Sequence, residues 1–173
     1  MQSARRMQSC PTLVVTIMLM FRLVVLLLTS MTLILAADLP TKKWLNLAAL
    51  KTMAAGAEAE AEKRQVQVTL CIVDENGNLL FLQKADGAAI TTIQFAQKKA
   101  RYAALYKRPS KVAADQLKKG DLQILVFPEI FPNQGGLPIK VDGQTLGGIA
   151  ASGAASEVDE AIAQAGIDAL FKK

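Results

Sequence analysis

The chain has 173 residues, 51% hydrophobic and 20% charged, a size and composition that suit one folded domain and exclude a disordered chain. Lysine and arginine number 20 against 15 acidic residues. Arg5, Arg6 and Arg22 precede every acidic residue, so the chain from Asp38 onward carries 17 basic and 15 acidic groups, about +2, which excludes a strong electrostatic claim on nucleic acid.

Met20-Phe21-Arg22 opens a basic–apolar–small order. The apolar run Leu23 to Leu35 follows, then Ala36-Ala37, then the polar exit Asp38-Leu39-Pro40. This predicts a signal peptide over residues 1–37, cut near Ala37, and a periplasmic or secreted domain over residues 38–173. The signal is complete from Met20, which makes an internal start there an alternative. Thr12 to Ala37 also exceeds the roughly 20 residues that span a bilayer, so an uncleaved leader would be the chain's route to a membrane. Cys10 would leave with the leader, and Cys71 would then have no disulfide partner.

Thr41 can cap a helix to about Glu62, with Leu47, Leu50, Ala54, Ala57 and Ala61 on one stripe. Glu58 and Glu62 share a face of it, and a solvated helix end accounts for them better than a bound cation. Val66 to Val73 alternates as a strand, Asp74 to Asn78 has hairpin-turn chemistry, and Leu79 to Ala85 returns as a second strand. A helix from about Ala88 to Lys107 has an alanine stripe (Ala96, Ala100, Ala103, Ala104) and an aromatic one (Phe95, Lys99, Tyr102, Tyr106). Aromatics are rarely left facing water, so the second stripe calls for a cover. Pro109 ends the helix and Ser110 can cap a short one to about Lys118. Leu122 to Phe127, Leu137 to Val141 and Thr145 to Ala151 read as three strands, and Glu157 to Phe171 as the last helix. The expected fold is α+β in the order α-β-β-α-α-β-β-β-α, with a five-stranded antiparallel sheet flanked by helices.

Several of these segments resemble, in order, the GlcG/HbpS-like family. They are Val66 to Gly77; Asp86-Gly87 with Phe95-Ala96-Gln97-Lys98-Lys99-Ala100; Gly135-Gly136-Leu137-Pro138-Ile139; Asp142-Gly143; Gly147-Gly148-Ile149; Ser152-Gly153; Asp159-Glu160 and Ala165-Gly166. The resemblance covers Pro40 to Lys173. It implies a profilin-like fold, frequent assembly as oligomers, and kinship with haem-binding extracellular proteins, with GlcG and with the C-terminal part of PduO-type proteins.

The chain departs from any imidazole-ligated pattern because it has no histidine. That also removes Ser-His and Cys-His nucleophile pairs and His-bearing zinc sites. Two classes remain: an exported small-molecule-binding protein, with haem or a related tetrapyrrole as the ligand, or an enzyme of unknown reaction using Asp159, Glu160, Lys99 or Tyr102 as acid and base. No carboxylate pair forces the second. The candidate ligand-binding residues are Phe95, Lys99, Arg101, Tyr102 and Tyr106 on the helix, the turn at Gly135 and Gly136, and Ser152 and Gly153, whose N–H groups can face a small anion. Tyr102 and Tyr106 are the candidate haem-iron ligands, since a phenolate can bind iron. The aromatic stripe reads first as an interface in a homo-oligomer and second as a wall for a flat ligand, and the two coexist if the ligand sits between subunits.

Overall fold

The computed structural model describes residues 11–30 and 41–172. Helix α1, Pro11–Ser30, belongs to a unit of its own, and residues from Lys42 onward form the second. The cleavage site near Ala37 lies outside the described residues. Among the described residues, no helix is long and apolar enough to cross a membrane.

The domain runs α2 (Leu47–Lys63), β1 (Thr69–Asp74), β2 (Leu79–Lys84), α3 (Thr92–Tyr106), α4 (Lys111–Lys118), a 3₁₀ turn (Leu122–Val126), β3 (Gly136–Val141), β4 (Gln144–Ser152) and α5 (Ser156–Phe171). The sheet is antiparallel with the order β2-β1-β4-β3, so β1 and β4 are central. It has four strands where five were expected. The missing one is Leu122 to Phe127, which winds into the 3₁₀ turn. Of Leu122–Val126 only Ile124 is buried, so there is no alternating face to lay on a sheet. Pro128 follows and has no N–H to give to a strand.

Alternation in the central strands builds a core on each side. Leu70, Ile72, Ile149 and Ala151 face α2 and α5, while Cys71, Val73 and Ala150 face α3. Burying each of the larger side chains contributes about 1.5–3 kcal/mol. The alanine stripe of α3 lets it approach closely, and Gly148 of β4 completes the fit. A Cβ there would lie 2.2 Å from the Ala100 carbonyl oxygen. Helix α2 starts later than Thr41 because Asn46 is its cap, its Oδ1 accepting from the Ala49 N–H at 2.9 Å. Residues 42–46 form a strap, with Lys42 ion-paired to Glu75 on the β1–β2 turn and Lys43 to Asp142 on the β3–β4 turn.

Candidate functional site

Two places bring sequence-predicted residues together, and a third, a groove, holds none of them. The first is a buried joint at the end of the sheet. Lys99 leaves α3, which packs on one face, and meets Asp159 of α5 from the other face at 2.8 Å, with side-chain exposures of 1% and 3%. Gly135 allows the passage: its φ is +121°, and a Cβ would sit 2.8 Å from the Asp159 Cβ and 2.9 Å from Lys99 Nζ. Gly136 lies against the Lys99 backbone. Lys99 Nζ also donates to the Ala151 carbonyl, and Asp159 Oδ1 accepts from the Ala154 N–H at 3.0 Å. Burial pushes the Asp159 carboxyl above its ordinary value, with Lys99 and the backbone N–H groups of Ala154 and Gly153 pulling it back. The N–H groups after Ser152 therefore already hold an anion, the chain's own carboxylate. Ser110 closes the joint from outside: its N–H donates to the Gly136 carbonyl and its hydroxyl accepts from the Gly136 N–H.

The second place is the aromatic stripe. Its cover is the chain itself: Tyr102 is fully buried against Ala113 and Ile124, with Tyr106 and Ile130 beside them. The two tyrosine rings stack at 4.8 Å. Arg108 lies about as far from both ring centres, at 5.6 and 5.5 Å, and its Nε donates to Tyr102 Oη at 2.7 Å. Burial raises the Tyr102 phenol despite Arg108, which works against a phenolate there. Tyr106 is half-buried and donates to the Pro128 carbonyl at 2.6 Å. Together Tyr106, Arg108, Gln116, Ile124, Phe127 and Ile130 wall a cleft of about 230 Å³, which Asp121 and Gln123 complete.

The remaining helix residues are engaged in packing. Arg101 donates to the Gly77 carbonyl and grips both oxygens of Glu129, at 3.0 and 2.8 Å, tying the hairpin turn to the loop. Phe95 packs on Phe131 at 5.3 Å. Cys71 is sealed in the core, and burial pushes its thiol up to about 12. Among the described residues, no group of three or more histidine, cysteine or acidic residues is placed to hold a metal ion. Arg108 was missed in the sequence because it follows the helix; Lys107 takes a left-handed φ of 56° and turns the chain back onto the tyrosines.

The third place is an apolar groove of about 480 Å³ under the strap. Leu45 and Leu146 make its floor and Trp44 and Phe171 its walls, with Lys42 and Lys43 on the rim.

Residues 45–168 match the family described as "Haem degrading protein HbpS-like". GlcG of Escherichia coli strain K12 is 31% identical over 112 residues, 65% of this chain and 84% of that protein. A double mutant of Streptomyces reticuli HbpS superposes with a TM-score of 0.69 at 30% identity, over 77% of this chain and 91% of that one. The PduOC–haem complex superposes with a TM-score of 0.68 at 27% identity, over 73% of this chain and 95% of that one. The alanine-faced helix on a glycine-notched sheet and the sequence match coincide over the same residues, and the chain belongs to the HbpS-like family.

Proposed function

We propose that the domain binds haem or a related tetrapyrrole at the cleft beside Tyr106. The observation that carries this reading is the likeness to the PduOC–haem complex over nearly the whole of that chain. The donor set of the cleft is compatible with it. Tyr106 is half-buried and keeps a phenol oxygen at the wall, Arg108 offers a cation to a propionate, and Phe127 and Ile130 offer apolar contact. At about 230 Å³ the cleft is smaller than the roughly 300–1,000 Å³ of a typical ligand site, so a macrocycle would rest partly on the neighbouring apolar surface. Bound haem would supply the redox chemistry of its iron; the chain's own part is to seat the ring and pair its carboxylates.

Haem titration followed by absorbance tests the reading. The wild type is expected to give a Soret band, and Tyr106→Phe to change its position and weaken binding by roughly tenfold, the scale of one lost charge-assisted contact. Tyr102→Phe should leave the spectrum unchanged, because Tyr102 is fully buried. Identical spectra and affinities for the wild type and Tyr106→Phe would move the ligand out of the cleft. The family's description speaks of haem degradation, which favours a second reading, a reaction on the bound ring; a Soret band that bleaches under a reductant and oxygen distinguishes it.

Export and self-association complete the proposal. Export rests on the basic–apolar–small order ending at Asp38. Self-association rests on the 3₁₀ segment, where Leu122, Leu125, Val126 and Phe127 are each more than half exposed beside the cleft. Intact mass and light scattering on protein recovered from the exported fraction test both: a mass retaining Leu23 to Leu35 defeats cleavage, and a monomer at micromolar concentration defeats assembly.

A further inference from the structure

Residues 127–131 form one wall of the cleft, through Phe127 and Ile130. Pro128 and Pro132 have no N–H to give. Among the described residues, no backbone–backbone hydrogen bond joins residues 128–131 to another element. Side chains alone hold the segment in place. Tyr106 donates to the Pro128 carbonyl, and Arg101 grips both oxygens of Glu129. Ile130 rests beside the tyrosines, and Phe131 lies on Phe95 with Lys98 Nζ 5.6 Å from its ring centre. Glu129 itself has a φ of +60°, a left-handed conformation that a glutamate rarely adopts, so backbone strain works against its clamp.

A segment with few buried apolar contacts and no backbone ladder opens locally at small free energy. The Arg101–Glu129 pair adds little resistance, because its side chains are 34% and 40% exposed. Ile124 differs: it is buried on Tyr102 at the far side of the 3₁₀ turn and fixes that end. Opening of residues 127–131 would have two effects at the cleft. Phe127 and Ile130 would line a wider entrance than the present volume of about 230 Å³. The Tyr106 hydroxyl would lose Pro128 as its acceptor and become free for another partner. A flat ligand larger than the closed cleft needs both.

We propose that residues 127–131 are a lid, latched shut by Arg101 on Glu129, which swings out to admit the tetrapyrrole and release the Tyr106 hydroxyl. The lid rests on the tetrapyrrole reading of the cleft. The closed form is the resting state, and the latch acts against binding, since apparent affinity falls with the fraction of molecules that are open. Tyr102 stays covered by Ala113 and Ile124 in both forms.

Losing a contact ordinarily weakens a site; losing this latch should strengthen it. Arg101 and Glu129 do not line the cleft. Glu129→Gln and Arg101→Gln are each expected to take up haem roughly two- to fivefold faster and more tightly than the wild type, the scale of an exposed ion pair, with the Soret band at its wild-type position. Stopped-flow absorbance reads both quantities. Arg101→Gln also gives up its bond to the Gly77 carbonyl, which Glu129→Gln keeps, so agreement of the two variants isolates the latch. Ligand-free protein supplies a reading that does not involve haem. Cleavage after Glu129 by a glutamyl endopeptidase should be several-fold faster in Arg101→Gln than in the wild type, because it follows the open population, while cleavage after Glu62 on α2 keeps its rate. Unchanged cleavage after Glu129 would mean that no latch exists and would overturn the lid, whatever haem does. A Soret band with unchanged or slower uptake in both variants would keep the ligand and overturn the lid as its entrance. No Soret band in any of the three proteins would remove the tetrapyrrole reading, and the lid's purpose with it, even where cleavage rises.

Discussion

Lys99 shows how little a residue's type says about its use. On the helix it shares a stripe with Phe95, Tyr102 and Tyr106, yet it passes Gly135 and ends fully buried against Asp159. The partner sixty residues away could not be read from spacing, although the Phe95 to Ala100 and Asp159-Glu160 motifs marked both ends of the contact. Removing one member of a buried pair strands the other, at a cost of about 3–5 kcal/mol, whereas exchanging both for apolar residues is close to neutral. Lys99→Met and Asp159→Asn should each lower the urea midpoint sharply, and Lys99→Met/Asp159→Leu should recover most of the loss. The single variant Lys99→Met has a pH signature. Burial already raises the Asp159 carboxyl, and loss of the ammonium raises it further. A group raised in the folded state adds stability below its unfolded value and loses it as pH climbs through the folded value. The defect of Lys99→Met should therefore shrink in acid and be full at neutral pH, as read from melting temperature against pH. A defect equal at every pH would mean that Asp159 does not titrate in the fold.

At the level of elements, the sequence pattern identified the helices and the four strands described from Lys42 onward, with ends displaced by up to about six residues. Thr41 failed as a cap because Lys42 and Lys43 are drawn to Glu75 and Asp142, partners that no local pattern reveals. Leu122 to Phe127 failed as a strand because hydrophobicity without alternation is ambiguous, and its one inward residue, Ile124, is spent on covering Tyr102. The aromatic stripe was correctly read as needing a cover, but whether that cover is the same chain depends on where α4 returns. The glycines were under-read. Gly148 looked like a residue of a strand and is the seat of α3. Gly148→Ala sets a methyl group into the Ala100 carbonyl and should cost at least about 1–3 kcal/mol by overpacking, measured by urea denaturation. Gly143→Ala meets nothing within 4 Å, so any loss there comes from its positive φ of 76° and should be smaller.

Across the whole molecule, the ends of the domain depend on each other. Its first helix packs on its last, and its central strands are β1 and β4, in which Cys71 stands opposite Ala150, 79 residues away. Every local unit is short of a partner until β4 exists: the β1–β2 hairpin has one open edge, α3 has half a sheet to rest on, and β3 has no strand to join. Closing a loop of that length comes before any contact that rewards it, so the rate-limiting event should be the long-range pairing of β1 with β4, with little stable structure ahead of it. A nascent chain that has not yet made residue 152 is thus denied its fold by topology alone. It should leave the ribosome in need of a chaperone until its last helix is free.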